Sequence, residues 1–542
     1  MSVASMPLGD GRVVSQAEER RVIFASSLGT VFEWYDFYLY ATLAPFFAAL
    51  FFPPGNDTAA LLSAFAAYAA GFLVRPFGAL VFGRLGDLVG RKYTFLVTIV
   101  FMGGSTFLVG LLPTYSAVGW LAPVLMVGLR LVQGLALGGE YGGAATYVAE
   151  HAPRDRRGYA TSWIQTTATL GFFLSLAVIA LCRTQMTAAV FADWGWRVPF
   201  LVSLVLLVFS VYIRLKLNES PIFTQMKAEG KGSKSPLTDS FFRFPNNRLV
   251  LLALLGATAG QGVVWYTGQF YALFFLLITL KLDYLAAYSL VGVSLLIGTP
   301  LFVFFGWLSD RIGRLKIIMA GCLIAAVSYF WLFGLLTHYV NPDLEAFQAK
   351  TKITVVSDPT QCNFHIFVGP WSKFTECDRA KDALTKSGLS FTSLKGDAGK
   401  PVVITVGDKK LEGFDAKEGL GKLNAALKEA GYPAAADKAK VNWFMAELIL
   451  VIFLVYVTMV YGPIAAFLVE LFPTNIRYTS MSLPYHIGNG WFGGMLPLLA
   501  TALVAWSGDI YYGLWYPIGV AIMSLVIGLL FLKETKGVDI TK

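Results

Sequence analysis

Of the 43 Lys and Arg residues, only Arg75 and Arg130 are identified as lying deep inside long apolar segments. The acidic residues in such segments are Glu33, Asp36, Glu140 and Glu447. A charge at the depth of a lipid bilayer is costly unless it is paired or faces a polar cavity, so these residues are candidates for function. Their chemistry predicts the charged groups of a transporter driven by charge.

The first apolar segment contains two of these acids. Helical spacing places Glu33, Asp36 and Tyr40 on one stripe. A carboxyl group in an apolar cavity holds its proton, and a nearby arginine favours its release. Protonation of Asp36 would free Arg130, and deprotonation would restore the pair, which is a proton switch. A permanent ion pair between two helices is the alternative, although buried ion pairs rarely stabilise a fold by themselves.

Arg130 begins a segment, 130–143, that contains Gln133 and several glycines. Glycines at helical spacing allow helices to approach closely, and most such runs do only that. We assign Arg130 to proton coupling with Asp36 and place Gln133 among the substrate-binding candidates.

Arg75 precedes Pro76, which distorts a helix and favours a cavity. A guanidinium group binds a carboxylate through two hydrogen bonds, so Arg75 is a candidate anchor for an anionic substrate. Pairing with Glu140, which lies at a similar depth, is an equally weighted alternative.

Further polar residues occur in the seventh and eleventh apolar segments. They could line a central cavity with Tyr40, or they could simply form hydrogen bonds between helices, which is the commoner outcome. These candidates are Gln261, Tyr266, Gln269, Tyr485 and Asn489. His486 could titrate, but a single histidine is a weak signal.

The elements that must position these residues are transmembrane helices. The chain of 542 residues is 56% hydrophobic and 14% charged, which exceeds what a soluble domain needs. Twelve stretches are long enough to cross a hydrocarbon core of about 30 Å. They are 22–50, 59–83, 92–112, 120–148, 159–181, 196–216, 249–280, 285–308, 315–337, 443–466, 479–506 and 511–532.

Lys and Arg concentrate in alternate connections between these stretches, which predicts that both termini are cytoplasmic. The expected location is the inner membrane. The net charge of +9 then reflects a rim that contacts anionic lipid. No basic patch carries interleaved aromatic residues, so nucleic acid is not an expected partner.

An internal repeat divides the chain. The motif Gly-x3-Asp follows the second stretch and recurs after the eighth, and the motif Glu-x2-Pro-x3-Arg follows the fourth and recurs after the tenth. Glycines are expected in tight turns, and the charged residues in a cytoplasmic gate network. The gate candidates are Gly83, Asp87, Gly90, Arg91, Glu150, Arg157, Gly306, Asp310, Arg311, Gly313, Arg314, Glu470 and Arg477.

The second pair of motifs is separated by roughly 100 residues more than the first, which indicates an insertion. We predict a six-helix half at 1–216, a central loop at 217–248, a second half at 249–337 and 442–542, and an inserted periplasmic α/β domain at 338–441. A disulfide between Cys362 and Cys377 is favoured in the insertion over a metal site that includes His365.

The repeat with its glycine and aspartate loops resembles the major facilitator superfamily. Shorter motifs resemble its metabolite:proton symporters, which include permeases for α-ketoglutarate, citrate, shikimate and proline/betaine. The motifs are Glu33-Trp-Tyr-Asp36-Phe-Tyr, Arg75-Pro-Phe-Gly, Arg130-Leu-Val-Gln-Gly, Trp194-Gly-Trp-Arg197-Val-Pro-Phe, Glu219-Ser-Pro and Glu470-Leu-Phe-Pro-Thr. The resemblance covers nearly everything outside 338–441.

The resemblance implies alternating access between two pseudo-symmetric six-helix halves around a midplane site. It also implies that Asp36 and Arg130 couple proton to substrate and that Arg75 binds a carboxylate. Leu88 departs from the pattern, because the family has Arg or Lys there, and this could loosen one half of the gate. The inserted domain is outside the family pattern.

These observations predict a proton-coupled importer of a small organic acid, a mono-, di- or tricarboxylate, that works without a cofactor or metal as a monomeric unit. A porter of a zwitterion such as proline or betaine is the alternative within transport. A receptor that senses ligand through the inserted domain is the alternative in another class. An unknown periplasmic partner of 338–441 is also left open, and no enzymatic constellation is found.

Overall fold

The structure is a computed structural model that describes residues 5–8, 12–52, 57–364, 373–415 and 417–541. Some side chains inside these ranges are not described. They are those of residues 5–8, 12–16, 33, 41, 42, 44–46, 48, 49, 57–69 and 188. His365 and the side chain of Glu33 therefore lie outside the described part of the chain.

Long apolar helices form most of the described chain. Ten of them have the length and composition needed to cross a membrane, among the residues searched. They are α3 (Arg91–Val109), α4 (Leu121–His151), α5 (Arg157–Gln185), α6 (Gly195–Leu215), α7 (Asn246–Thr279), α8 (Tyr284–Ile312), α9 (Arg314–Val340), α10 (Trp443–Leu471), α11 (Arg477–Ser507) and α12 (Tyr512–Phe531). Two further long helices precede them, α1 (Gln16–Phe51) and α2 (Asp57–Leu88).

The helices pack as two groups in chain order. Within the first group, α4 packs against α1, α2 and α3, and within the second, α10 packs against α8 and α9. The groups meet along two seams, α2 with α11 and α5 with α8. The core of each group is apolar, and the polar residues described below are concentrated at or near these seams.

Two helices of the second group are interrupted by π-helical turns. In α7 these turns are Leu254–Thr258, Thr267–Tyr271 and Phe275–Thr279, and in α11 the turn is Ile487–Gly493. A π turn adds a residue to a helical repeat and rotates the side chains that follow it, and such turns are frequent at functional sites. Residues of α7 that share a regular helical stripe in sequence therefore face different neighbours.

A small sheet lies between α9 and α10 in the chain. Its strands are β3 (Ile353–Ser357), β4 (Thr392–Lys395), β5 (Val403–Val406) and β6 (Lys409–Glu412), in the order β4-β3-β5-β6. Only β3 and β4 are parallel, and a helix, Glu376–Lys386, connects them. A second helix is Gly419–Glu429. Near the amino terminus, β1 (Ser5–Leu8) and β2 (Arg12–Ser15) form a separate hairpin.

The segment containing this sheet is held on the connections of the second helical group. The backbone N–H of Phe391 donates to the carbonyl of Gly508 at 2.7 Å, and that of Ala436 donates to Lys281 at 3.0 Å. Gly388 has a positive φ of 68°, and a Cβ there would lie 2.0 Å from the carbonyl oxygen of Thr279. We call this end of the bundle the sheet end.

Several sequence expectations can now be compared with these elements. Ten of the predicted apolar stretches coincide with membrane-length helices, while the crossing of the membrane by α1 and α2 stays a prediction. The predicted strands of the insertion are present with slightly different bounds, and β6 was not anticipated. In the 217–248 segment the structure adds two short helices, Pro221–Ala228 and Pro236–Phe241.

Cys362 and Cys377 are disulfide-bonded, as expected, and the bond links the chain after β3 to helix Glu376–Lys386. The two cysteines are 15 residues apart in sequence. In the residues searched, no group of His, Cys, Asp and Glu has the arrangement of a metal site.

Replacing both cysteines with serine should destabilise this segment locally by about 3 kcal/mol, because the link restricts the unfolded loop. Hydrogen exchange should then become faster in β3 and unchanged in α9. Reduced wild-type protein is the matched control and should behave like the variant. Unchanged exchange in β3 would show that the disulfide does not stabilise the sheet.

Candidate functional site

The first group of helices contains a buried ion pair between α1 and α4. Arg130 Nη1 donates to Asp36 Oδ2 at 2.8 Å, and both side chains are almost fully buried. The guanidinium carbon of Arg130 lies 3.6 Å from the centroid of the Tyr40 ring. A cation over an aromatic face is stabilised by the ring quadrupole. The sequence pairing of Asp36 with Arg130 is thus matched by a direct contact.

Gln133 joins this pair to a third helix. Its side-chain oxygen accepts from Arg130 at 2.6 Å, and its nitrogen donates to Asp36 at 3.2 Å and to Thr106 of α3 at 3.0 Å. Tyr40 and Gln133, both predicted to contact substrate, therefore support the ion pair inside the first group. The Nε and Nη2 atoms of Arg130 have no hydrogen-bond partner among the described residues.

Glu140 is paired with an arginine that the sequence analysis did not single out. Arg214, at the end of α6, forms an ion pair with Glu140 at 2.5 Å and is 1% exposed. Its guanidinium carbon is 3.4 Å from the Phe95 ring centroid, and Gly29 leaves the space that the guanidinium occupies. The alternative in which Glu140 pairs with Arg75 is wrong in this structure. Arg214 lies within the predicted 196–216 stretch, so its position was the available signal.

Arg75 on α2 is buried without an acidic partner among the described residues. It is 7% exposed, its Nε has no hydrogen-bond partner, and its guanidinium lies 4.3 Å from the Phe72 ring centroid. A Cβ on Gly490 of α11 would lie 4.0 Å from Arg75 Cδ. Arg75 therefore lies at the seam between the two groups.

More N–H groups without partners occur beside this seam. His486, one helical turn before Gly490, is 1% exposed, and neither ring nitrogen has a hydrogen-bond partner in the described structure. The same holds for Trp265 Nε1 and Gln269 Nε2 of α7. Buried donors without acceptors are costly, so their concentration near one seam indicates a place where a polar ligand or water binds.

Aromatic rings surround these donors and join the two groups. Trp34 of α1 lies 5.0 Å from Trp265, and Phe37 lies 5.0 Å from Phe270 of α7, measured between ring centroids. The hydroxyl of Tyr38 donates to Gln269 Oε1 at 3.4 Å. The centre is thus a layer of rings that separates the ion pairs of the first group from the second group.

The other predicted substrate residues have varied surroundings. Gln261 and Asn489 form two mutual hydrogen bonds, at 2.8 and 3.0 Å, which bridge α7 and α11. Tyr485 stacks on Tyr141 of α4 at 3.6 Å across the seam. Tyr266 packs 6.2 Å from Phe72, again across the seam. Gln261 and Asn489 are therefore a helix bridge, while Tyr266 and Tyr485 face the first group.

The repeated motifs come together at the end of the bundle opposite the sheet. Asp87 pairs with Arg91 at 2.6 Å, and its carboxylate accepts from the backbone N–H groups of Tyr478 and Thr479 at 3.3 and 2.8 Å. These N–H groups belong to the first turn of α11, whose partial positive charge favours a carboxylate. A side chain of one group thus caps a helix of the other.

The second copy of the motif repeats this arrangement with the groups exchanged. Asp310 pairs with Arg314 at 2.7 Å and accepts from the backbone N–H groups of Gly158 and Tyr159 at 2.8 and 2.7 Å, in the first turn of α5. Two ion pairs also cross between the groups. They are Arg477 with Glu150 at 2.8 Å and Arg157 with Glu470 at 2.9 Å.

The motif glycines have two different roles. Gly83 and Gly306 lie inside α2 and α8, where a Cβ would approach Thr479 Cα to 2.9 Å or Ser162 Cβ to 2.3 Å. The expectation of a tight turn is wrong for these two, which instead allow the groups to approach each other. Gly90 and Gly313 do form the turns, with φ of 154° and 117°.

Arg311 is the gate candidate that the network leaves out. Its side chain is exposed, forms no ion pair with a described residue and lies 4.1 Å from the Trp307 ring centroid. Leu88 occupies the equivalent position in the first copy. The expected loosening of the gate by Leu88 has no basis here, because the equivalent arginine contributes no ion pair.

Replacing Arg214 with methionine should lower the free energy of unfolding by about 3–5 kcal/mol, because Glu140 would remain buried without a cation. The double variant Arg214→Met with Glu140→Gln should recover most of this loss. Thermal unfolding of the detergent-solubilised protein measures the effect. Arg311→Met is the matched control and should change little. A double variant no more stable than Arg214→Met alone would contradict this account.

Comparison with known proteins follows from this geometry. The profile of the family described as "sugar (and other) transporter" matches residues 22–246. The shikimate transporter of Escherichia coli strain K12 is 36% identical over 60% of this chain and 74% of its own length. The α-ketoglutarate permease of the same strain is 33% identical over 61% and 76%. The proline/betaine transporter of Salmonella typhimurium is 35% identical over 59% and 65%.

Solved structures show the same fold. The proton:xylose symporter XylE bound to 6-bromo-6-deoxy-D-glucose superposes with a TM-score of 0.59 over 97% of this chain and 98% of XylE, at 15% identity. A double-tryptophan variant of XylE gives a TM-score of 0.66 with the same coverage and identity. The family and these relatives are transporters and not enzymes. The chain therefore belongs to the major facilitator superfamily and is a multi-pass membrane transporter of its sugar (and other) transporter family.

Proposed function

We propose that this protein is a proton-coupled symporter that imports a small organic acid across the inner membrane. Its twelve helices span the membrane in two pseudo-symmetric halves, both termini are cytoplasmic, and the sheet segment lies outside. The observation that carries this proposal is Arg75, a buried arginine at the seam between the halves without an acidic partner among the described residues.

The chemistry of the free groups near Arg75 favours an anionic substrate. Arg75, Trp265 and Gln269 all offer N–H donors without acceptors. A carboxylate has only acceptor oxygens when ionised and binds a guanidinium through two hydrogen bonds. A carboxylate at this seam would satisfy the donors and neutralise the buried charge of Arg75. A mono-, di- or tricarboxylate is the substrate class that follows.

Proton coupling is assigned to Asp36 and Arg130. With Asp36 ionised, the pair is neutral and closed at 2.8 Å. A proton on Asp36 removes the attraction and leaves Arg130 with additional free donors, so proton uptake and rearrangement of α1 against α4 are linked. Uptake of one proton with one monocarboxylate leaves the net charge of the transporter unchanged. Additional protons would make uptake sensitive to the membrane potential. Glu33 remains a candidate on the same helix.

The charged end is assigned to the cytoplasmic gate. Opening this side must separate Arg157 from Glu470 and Arg477 from Glu150, and must withdraw Asp87 and Asp310 from the helices that they cap. Because the two copies are equivalent, the halves can separate as two bodies. Rocking of one half against the other around a central site is the general mechanism of such folds.

A zwitterion is the second candidate substrate, and the aromatic layer supports it. The rings of Trp34, Trp265, Tyr266 and Phe270 lie near the donors, and aromatic faces bind quaternary ammonium groups. A betaine would place its carboxylate and its cation on different parts of this seam. The names of the relatives include both substrate classes, shikimate and α-ketoglutarate as well as proline and betaine. Measured uptake would by itself exclude the sensor alternative.

In proteoliposomes with an imposed inward pH gradient, uptake from a panel of mono-, di- and tricarboxylates plus betaine should reveal the substrate. Asp36→Asn should lower gradient-driven accumulation at least about tenfold, a change that corresponds to about 1.4 kcal/mol. Substrate exchange without a gradient should persist, because exchange needs no net proton movement. Asp193→Asn, which changes an exposed acid, is the control. Normal gradient-driven uptake by Asp36→Asn would overturn the coupling role.

Arg75→Ala should weaken the affinity for a carboxylate substrate by roughly 10- to 100-fold, as expected for the loss of charge-assisted hydrogen bonds. The affinity for a zwitterionic substrate should stay nearly intact. Competition binding or the KM of uptake measures this difference. Arg183→Ala, which removes an exposed arginine, is the matched control. A carboxylate affinity that is unchanged in Arg75→Ala would exclude Arg75 as the anchor.

A further inference from the structure

A groove lies between α8 and α10 at the sheet end, away from the central seam. Its volume is about 320 Å³. Most of its lining is aliphatic or aromatic, with three charged residues. The lining residues are Asp283, Leu285, Ala286, Ser289, Leu290, Val293, Lys438, Trp443 and Glu447. It shares no residue with the substrate, proton or gate sites proposed above.

The groove opens toward the surface that contacts lipid. Leu285 and Val293 on α8 are 72% and 47% exposed, and Trp443 and Phe444 on α10 are 40% and 74% exposed. Large apolar side chains on the surface of membrane helices are solvated by acyl chains. An occupant that enters from this side must therefore have an apolar body.

Glu447 gives the groove an uncompensated acid. Its Oε1 atom is buried and has no hydrogen-bond partner in the described structure, and Glu447 forms no ion pair with a described residue. A carboxylate oxygen in an apolar site is costly unless a cation or donor reaches it. Glu447 was noted in the sequence as a buried acid, and neither the proton switch nor the gate uses it.

The other two charges compensate each other at the mouth of the groove. Lys438 Nζ donates to Asp283 Oδ2 at 3.0 Å, and the same carboxylate accepts from the backbone N–H of Ala286 at 3.2 Å. These hydrogen bonds, first that from Lys438, hold the pKa of Asp283 below its usual value. The groove thus has two carboxylates and one ammonium group, so its charge favours one additional cation.

We propose that this groove binds a phospholipid whose headgroup carries a primary ammonium and a phosphate, as in phosphatidylethanolamine. The ammonium group donates to Glu447, the phosphate lies toward Lys438, and an acyl chain follows the apolar wall of α8 and α10. A primary ammonium has three donors, whereas a quaternary ammonium has none to offer a carboxylate. The apolar walls favour the lipid over a free amine. The site does not depend on the identity of the transported substrate.

The test uses the full-length protein, delipidated in detergent, with native mass spectrometry to count bound lipid. Phosphatidylethanolamine should bind at least about tenfold more tightly than phosphatidylcholine with the same acyl chains, because only the former donates hydrogen bonds to Glu447. Glu447→Gln should reduce this preference to less than about twofold. Glu412→Gln, which changes an exposed acid of β6, is the matched control and should retain the preference.

A second variant guards against a folding defect. Lys438→Ala changes an exposed residue and should weaken both lipids similarly, because both carry a phosphate. Equal binding of the two lipids by the wild type, or an undiminished preference in Glu447→Gln, would overturn the proposal. Tight binding of free phosphoethanolamine that competes with the lipid would also overturn it, because the groove would then be a solute site.

Discussion

The crossed contacts at the charged end determine how the two halves meet. Asp87 caps the first turn of α11 and Asp310 caps the first turn of α5, so each half completes a helix end of the other. An uncapped helix amino terminus buried at a seam would leave N–H groups without acceptors. The seam therefore closes only when both halves are present and in register. Gly83 and Gly306 make this close approach sterically allowed.

The charged end and the centre differ in a way that suits a transporter. At the charged end, ion pairs and helix caps satisfy most buried groups, so the closed arrangement is favourable in the absence of a ligand. At the centre, several N–H donors have no acceptor, and Arg75 has no acid among the described residues. A ligand with acceptor oxygens would stabilise the centre, and this stabilisation is available to offset the loss of contacts when the gate opens.

Asp36 and Arg130 lie between these regions in function, although they belong to the first half alone. Gln133 and Tyr40 hold their geometry, one by hydrogen bonds and the other by its ring face. A pair held so firmly gives a defined structural change when one proton is added. The groove beside Glu447 is a separate feature of the second half, where the bilayer itself supplies the missing partner.

The sequence by itself determined the family, the apolar helices, the insertion, the disulfide and the contact of Asp36 with Arg130. These follow from local composition, repeated motifs and the high cost of charge in lipid, all of which are readable along the chain. The tertiary structure alone decided which partners the other charges take. Arg214 rather than Arg75 reaches Glu140, Arg311 points away from the network, and π turns direct Gln261 to Asn489 instead of the centre. Such pairings depend on helix rotation and depth, and spacing within one helix cannot specify the helix that it will face.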